Sequence, residues 1–322
     1  MPSLPSRVDI QEEGVREGFQ IEQRAIPTAR KLELIDALAA AGLREIQIAS
    51  FVDSRRVPGW SDAEEVVRTI PRRPGVKYTA LWLNERGLNR ALTVGGLHLK
   101  ALINTSASEP FLIRNQNQDL AANERVVANN LATYAAHGID YVRVGIMAAF
   151  GCNFAGDISL LTVMDSVARM ERLVHEAGRR IDLLSLADTM AWANPEGVKR
   201  VVGAVRNRWP ETRISLHLHD TRGLAIANAY AGLQMGVDCF DASVAGLGGC
   251  PFAAHKGAAG NICTEDFVFL CQELGIETGV NLEQLIEAAQ LAESIFERPL
   301  PGSIMRGGSL SPLRRRSAGV RD

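Results

Sequence analysis

Short runs of β-branched and apolar residues alternate with longer segments rich in Ala and Leu along most of the chain. An apolar run of four to eight residues is typical of a buried strand, and apolar positions repeating every three or four residues indicate a helix packed against it. The pattern predicts strands near residues 8–15, 45–51, 77–82, 98–104, 141–147, 182–188, 213–219 and 239–245. Helices are predicted between them, for instance over 28–42 and 226–236.

Eight strands with intervening helices predict an α/β protein, specifically a (β/α)₈ TIM barrel. A doubly wound sheet is the alternative, but it seldom keeps such even spacing through eight units. We expect residues 1–280 to form this barrel as one catalytic domain. Residues 281–322 should add an amphipathic helix (281–297) and a tail rich in Pro, Gly and Arg, which is either poorly ordered or folded over a partner subunit.

Composition and charge exclude several classes of protein. The net charge of −2 provides no basic surface for nucleic acid, and no apolar stretch is long enough for a membrane span. The start of the chain lacks both a secretory signal and an Arg-rich presequence, so we expect a cytoplasmic protein. The five cysteines form no CxxC pair, which favours reduced thiols over a disulfide framework.

Polar residues collect where the predicted strands end. The active site of such a barrel lies at the carboxyl ends of its strands, and packing alone does not explain repeated charge there. The candidates are Glu12, Arg16 and Glu17 after strand one, Gln47 in strand two, Asp188 at the end of strand six, and His217, His219 and Asp220 at the end of strand seven.

The two histidines of strand seven suggest a metal site. His217 and His219 are two residues apart, so their side chains point to the same face of a strand. Taken alone, the pair fits two core histidines as well as two metal ligands. With Glu17 and the Asn261 amide as oxygen ligands, it forms a mixed set suited to Mg²⁺, Mn²⁺, Co²⁺ or Zn²⁺. The sequence therefore predicts a divalent metal site.

A Gly-rich segment, residues 245–261, follows strand eight and carries Cys250. Its glycines would allow a loop that opens and closes, and a thiol on such a loop can act as an acid or base. The alternative is a small packing residue in a tight turn. Cys152, just past strand five, is equally compatible with a structural and a functional role.

The stretches "HLHDTRGLAIANAYAGLQMGVDCFDASVAGLGGCPFA", "GAAGNICTEDFV" and "IPTARKLELIDALAAAGL" resemble the 3-hydroxy-3-methylglutaryl-CoA lyase family, over residues 8–290. This is the metal-dependent lyase branch of the aldolase-like TIM barrels, and "GLGGCPFA" is specific to that branch. The resemblance implies the metal ligands Glu17, His217, His219 and Asn261, the catalytic residues Arg16 and Cys250, and the acidic site residues Glu12, Asp188 and Glu265.

The resemblance implies a retro-Claisen cleavage of a 3-hydroxy-3-methylglutaryl-CoA-like 3-hydroxyacyl-CoA into acetyl-CoA, or a homologue, and a keto acid. Mg²⁺ or Mn²⁺ is the expected cofactor, an acyl-CoA thioester the partner, and a homo-oligomer (dimer or tetramer) the assembly. Arg16 would stabilise the enolate, Asp188 or the metal-bound His219 would act as base, and Cys250 would return a proton.

Two positions depart from the family pattern. Glu17 replaces an aspartate, and Gln47 replaces the glutamate usual in strand two. We therefore expect a substrate that differs from 3-hydroxy-3-methylglutaryl-CoA at C3, such as citramalyl-CoA or a longer branched hydroxyacyl-CoA. A non-catalytic barrel that binds an acyl-CoA is the alternative from a different class.

Overall fold

The eight predicted strands are all present, and every neighbouring pair runs parallel. The computed structural model describes residues 4–22, 24–55, 57–249 and 260–317. The strands are β1 (Asp9–Glu12), β2 (Glu45–Ser50), β3 (Lys77–Leu81), β4 (Ala101–Ser106), β5 (Val142–Met147), β6 (Leu183–Asp188), β7 (Ile214–Leu218) and β8 (Cys239–Ala242).

Helices follow the strands and surround them. They are α1 (Gly14–Ile21), α2 (Thr28–Ala40), α3 (Ala63–Thr69), α4 (Glu85–Val94), α5 (Glu109–Gln116), α6 (Leu120–Ala136), α7 (Leu160–Glu176), α8 (Pro195–Arg208), α9 (Ala225–Gln234), α10 (Thr264–Glu273), α11 (Leu282–Phe296), α12 (Ile304–Gly307) and α13 (Ser311–Ser317). Short 3₁₀ turns occupy Pro58–Trp60 and Val244–Gly246. No described helix is both long and apolar enough to cross a bilayer.

The strand order confirms the predicted α/β TIM-barrel fold. Hydrogen-bonded ladders run continuously from β3 through β2, β1, β8, β7, β6 and β5 to β4. Apolar strand residues such as Ile46, Ile48, Leu184 and Leu186 are fully buried beneath the helices. The barrel core therefore places the carboxyl ends of all eight strands on one rim, where the predicted site residues lie.

Strand one is shorter than its sequence pattern predicted. The strand ends at Glu12, and α1 begins at Gly14 instead of after residue 15. The Glu12 carboxylate accepts the Gly14 N–H at 2.8 Å, and a Cβ at Gly14 would lie only 2.6 Å from Glu12 Oε1. This close turn ends the strand early and brings Arg16 and Glu17 onto the first turns of α1.

The barrel has a seam between β3 and β4, which form no ladder with each other. The His98 N–H, just before β4, donates to Tyr78 O on β3 at 2.8 Å. Further along, side chains of α6 replace the missing strand contacts: the Tyr134 hydroxyl donates to Leu102 O at 3.1 Å, and Asn123 Nδ2 donates to Asn104 O at 3.1 Å. Beyond that one backbone hydrogen bond, the seam is closed by side chains, whereas the other strand pairs form backbone ladders.

The inside of the barrel is polar. Arg143 on β5 contacts Gln11 on β1, Ser185 on β6 and Asp241 on β8. One side chain can reach three other strands only by crossing the interior. The charged residues that interrupt apolar strands therefore point inward and form one network beneath the rim.

The C-terminal segment packs on its own chain. Leu282, Leu285 and Phe296 of α11 belong to the same hydrophobic core as the barrel. The domain boundary at residue 280 stays a prediction. In the tail, Asp266 accepts the N–H groups of Ser303 and Ile304. Over residues 298–317 the expectation of a poorly ordered tail is therefore wrong, because α10 and α11 hold the tail. Its packing over a partner subunit stays a prediction.

Candidate active site

The two histidines of β7 converge on one point. His217 Nε2 and His219 Nε2 are 3.2 Å apart, and both rings lie largely buried at the carboxyl end of the strand. On its other side, His217 Nδ1 lies 2.9 Å from Asp241 Oδ2. A carboxylate on Nδ1 orients an imidazole so that Nε2 faces a metal ion. The pair is therefore arranged for joint ligation.

Asn261 and Glu17 complete this position. His219 and Asn261 form an isolated β-bridge, so the amide is next to the histidine pair. Asn261 Nδ2 donates to Glu17 Oε2 at 3.4 Å, whereas Asn261 Oδ1 is buried without a hydrogen-bond partner. A buried unpartnered oxygen is costly unless a ligand completes it. With two imidazole nitrogens and a carboxylate beside it, the donor set fits a divalent cation.

Arg16 lies beside this position on α1. Its Nε donates to Gln47 Oε1, and its Nη2 lies 2.8 Å from Glu13 Oε2 and 3.0 Å from Glu17 Oε1. Trp60 Nε1 donates to the Arg16 carbonyl at 2.9 Å and so fixes this turn of the helix. The guanidinium is held on three sides and can stabilise negative charge that develops near Glu17.

Asp188 ends β6 with one oxygen committed and one free. Its Oδ1 accepts the N–H groups of Trp192 and Ala193 at 2.7 and 3.1 Å, while Oδ2 is buried without a partner. Burial outweighs these hydrogen bonds and raises the pKa of Asp188 to about 6. A carboxylate of this kind can accept a proton near neutral pH.

Charges beneath the rim tune the histidine pair. Burial acts against ionisation of Asp241, but the Arg143 guanidinium and His217 outweigh it and lower the pKa of Asp241 to about 2. For His217, burial opposes the charged form, and the hydrogen bond and charge of Asp241 nevertheless raise its pKa. Asp241 therefore stays ionised and accepts a hydrogen bond from Nδ1–H of His217. In the neutral imidazole, Nε2 then carries the lone pair that a metal ion would bind.

Glu12 and Glu265 each accept a backbone N–H of the turn after β8, while Glu265 Oε1 is buried without a hydrogen-bond partner. Glu12 accepts the Val244 N–H at 2.9 Å and the Thr264 hydroxyl at 2.5 Å, and Glu265 accepts the Ala245 N–H at 3.0 Å. Ala245 has a φ of 54°, the left-handed region that needs such support. Both carboxylates hold the turn after β8, and burial first of all raises the pKa of each to about 7.

Cys250 lies outside the described residues, so its predicted role stays a prediction. Of the described residues on either side of it, Gly248 lies against Glu17 and Gly260 lies against Leu247. Gly248 has a φ of 102°, and a Cβ there would lie 2.7 Å from Glu17 Oε2. A Cβ at Gly260 would lie 1.8 Å from Leu247 O. The described cysteines (Cys152, Cys239, Cys263 and Cys271) are buried free thiols, as expected.

Three site-related residues escaped sequence reasoning: Glu13, Arg143 and Asp241. Arg143 and Asp241 each interrupt an otherwise apolar strand, and this interruption was the available signal. Glu13 follows the mostly polar β1 and offered no such signal. Glu13 lies between Arg16 and Arg143 and within 3.8 Å of His217 Nδ1. With these residues, the structure brings together Arg16, Glu17, His217, His219 and Asn261. Asp188 extends the same rim.

Comparison with known proteins places this geometry in a family. The HMGL-like family model matches residues 7–292. Hydroxymethylglutaryl-CoA lyase of Bacillus subtilis is 40% identical over 299 residues, 92% of this chain and 96% of that protein. The crystal structure of a B. subtilis HMG-CoA lyase superposes with a TM-score of 0.86 at 37% identity, covering 95% of this chain and 99% of that one.

A further solved structure carries a ligand. The HMG-CoA lyase of Acinetobacter baumannii, in complex with coenzyme A and 3-methylmalate, superposes with a TM-score of 0.84. It is 33% identical and covers 97% of this chain and 98% of that chain. Matches of this extent include every strand of the barrel and the whole described site. The chain belongs to the HMGL-like family.

Proposed function

We propose that this protein is a divalent-metal-dependent lyase that cleaves a 3-hydroxy-3-methylglutaryl-CoA-like 3-hydroxyacyl-CoA. The products are acetyl-CoA, or a homologue, and a keto acid. The observation that carries the proposal is the buried, unpartnered Asn261 Oδ1 beside the two facing Nε2 atoms of His217 and His219. Family membership supports the carbon–carbon lyase class.

Glu17, His217, His219 and Asn261 would hold the metal. A cation bound by these residues supplies Lewis acidity toward a substrate oxygen. The set has two nitrogen and two oxygen donors, and we propose Mg²⁺ or Mn²⁺, with Co²⁺ and Zn²⁺ as alternatives that the same donors accept.

Asp188 and Arg16 would carry the chemistry of bond cleavage. Asp188 takes the proton of the C3 hydroxyl, the C3 oxygen becomes the ketone, and the C2–C3 electron pair moves to C2 as the thioester enolate. Arg16 stabilises the enolate oxygen by charge-assisted hydrogen bonds. A thiol proton from Cys250 completes the reaction at C2, a role that stays a prediction.

The thioester would enter through a cavity of about 880 Å³ that is lined by the end of α1 and by the residues that follow β2 and β3. Its lining mixes apolar residues such as Phe51, Val57 and Leu83 with the amides of Gln20 and Asn115. Such a mixture suits the pantetheine arm of coenzyme A, an extended chain that carries two amide groups. The A. baumannii relative bound to coenzyme A supports this class of substrate.

A thioester panel tests the proposal. The purified protein is incubated with 3-hydroxy-3-methylglutaryl-CoA, citramalyl-CoA and longer branched 3-hydroxyacyl-CoA esters, and released acetyl-CoA or homologues and keto acids are measured by mass. We expect release that stops with a chelator and returns with Mg²⁺ or Mn²⁺. Binding of the thioesters without any release would favour the non-catalytic acyl-CoA-binding barrel. A cytoplasmic location and a homo-oligomer stay predictions.

A further inference from the structure

Glu13 is a buried carboxylate to which the proposed reaction gives no role. It follows β1 directly, and the register of β1 on β2 pairs Glu12 with Ile46, so Glu13 and Gln47 lie next to each other across the two strands. Both side chains contact Arg16, Glu13 on Nη2 and Gln47 on Nε. The same guanidinium is therefore held by an anion on one side and a neutral amide on the other.

Arg16 has two anionic partners, Glu13 and Glu17. In the proposed site Glu17 must also bind the metal ion. Arg16 Nη2 lies 3.0 Å from Glu17 Oε1 and 2.8 Å from Glu13 Oε2. Glu17 is a proposed metal ligand, so a cation and Arg16 compete for the same carboxylate. Gln47 accepts a hydrogen bond but carries no charge. Without Glu13, a largely buried guanidinium would depend on Glu17 for its counter-charge.

Glu13 offers a carboxylate oxygen within 4.8 Å of ligand atoms of Glu17 and His217, but it approaches His217 from the Nδ1 side of the ring. Its Oε2 lies 3.8 Å from His217 Nδ1, the nitrogen that bonds to Asp241, and not on the Nε2 side of the ring. Its other charged neighbours are the Arg143 guanidinium, at 3.7 Å, and the Asp241 carboxylate; burial and Asp241 raise the pKa of Glu13, and the Arg16 and Arg143 guanidinium groups oppose that rise. Glu13 thus lies between two guanidinium groups, beneath the metal position.

We infer that Glu13 is a positioning residue that gives Arg16 an anionic partner of its own and so leaves Glu17 free to bind metal. The inference rests on the proposed metal site and on Arg16 as the enolate-stabilising group. It also explains why an uncharged Gln47 is compatible with the proposed reaction. The counter-charge of Arg16 comes from Glu13, which follows the neighbouring strand β1.

Moving the carboxylate from position 13 to position 47 tests this role of Glu13. In Glu13→Gln, Arg16 should turn to Glu17, so the dissociation constant for Mn²⁺ should rise and kcat should fall, each by about 10–100-fold, while KM changes little. In Glu13→Gln/Gln47→Glu the charge returns on the other side of the guanidinium, and both quantities should recover most of that loss. Mn²⁺ binding is measured by calorimetry, independently of turnover.

The control is Asp36→Asn, which breaks a bidentate pair with Arg73 (2.7 and 2.9 Å) away from the site and should leave Mn²⁺ affinity and kcat unchanged. Unchanged Mn²⁺ affinity in Glu13→Gln, or a double variant as impaired as the single one, would overturn the inference. If Glu13→Gln does not fold, the double variant alone decides by the same two readouts against wild type. If wild type binds Mn²⁺ but cleaves no thioester, the proposed function fails, and the Mn²⁺ affinities still test Glu13.

Discussion

Along β7 and β8 the backbone ladder is continuous, whereas between β3 and β4 side chains take its place. At the seam, Trp82 Nε1 donates to the Tyr134 hydroxyl at 2.8 Å, and that hydroxyl donates to Leu102 O. At the site, Asn261 Oδ1 and Asp188 Oδ2 are buried without partners. Among the described seam side chains, Asn123 also keeps one unpaired oxygen.

The difference separates residues kept for stability from residues kept for a ligand. Each buried unpaired polar atom costs about 1–3 kcal/mol, so a site rich in them is stable only at the expense of the rest of the fold. Replacing a site residue should therefore remove activity with little loss of stability. Replacing a seam residue should do the reverse.

The largest effect is expected from the histidine pair. His217→Ala and His219→Ala each remove an imidazole ligand, so bound metal and acetyl-CoA release should be lost together. The loss should exceed the roughly 10–100-fold that follows when a residue hydrogen-bonded to a metal ligand is replaced. Metal content per chain, calorimetric titration and turnover measure this. Metal-free His219→Ala should unfold at nearly the same urea concentration as metal-free wild type, whereas His217→Ala also removes the imidazole partner of buried Asp241 and should unfold at a lower one. A double variant that retains one metal per chain would show that the site lies elsewhere.

Asp188→Asn should cost about 10²–10⁴-fold in kcat, the usual value of a general base. Because burial raises the pKa of Asp188 to about 6, kcat/KM of the wild type should fall below pH 6 as the base becomes protonated. The substitution keeps Oδ1 for the Trp192 and Ala193 N–H groups, so the fold should survive. An acid limb that persists unchanged in Asp188→Asn would assign the titration to another group.

Glu12 lies near the site, but its oxygens accept hydrogen bonds that hold the fold. Its replacement should therefore affect stability, as replacement of a seam residue does. Glu12→Ala leaves the Gly14 and Val244 N–H groups and the Thr264 hydroxyl unpaired, and should lower the free energy of unfolding by about 3 kcal/mol or more. Urea unfolding measures this. Glu12→Gln, which keeps one acceptor oxygen, should lose less. Full stability in Glu12→Ala would mean that water replaces the carboxylate.

The pH dependence of stability offers a second measurement on Glu12 and Glu265. Burial raises the folded-state pKa of both to about 7, above the ordinary 4.5. The stability linked to these groups is therefore fully present below about pH 4.5 and is lost as pH rises through 7. Glu12→Gln and Glu265→Gln should each flatten this decline. An equally steep decline in both variants would assign it to other groups.

The sequence was sufficient for the barrel because the eight apolar runs are evenly spaced and each is followed by a helix. It could not show the seam, since β3 and β4 carry the same pattern as paired strands. It also missed Glu13, Arg143 and Asp241, which meet only across the barrel interior. The resemblance indicated Glu12 and Glu265 as acidic site residues, but only their contacts show that both serve the turn after β8. Their catalytic role stays a prediction.

The smallest effect is expected at the seam, and on stability alone. Tyr134→Phe removes the hydroxyl between Trp82 Nε1 and Leu102 O, leaving two buried polar groups unpaired, and should cost about 1–3 kcal/mol of unfolding free energy. Turnover should stay at the wild-type value, because no described contact of Tyr134 reaches the rim residues of the site. Tyr78→Phe is the matched control: its hydroxyl donates to Pro71 O and accepts the Arg73 N–H near the opposite end of β3. It should cost less, because Pro71 and Arg73 are exposed and water can replace the hydroxyl. A Tyr134 variant that kept its stability but lost turnover would show that the seam contributes to catalysis. It would contradict the distinction between seam residues needed for stability and site residues needed for activity.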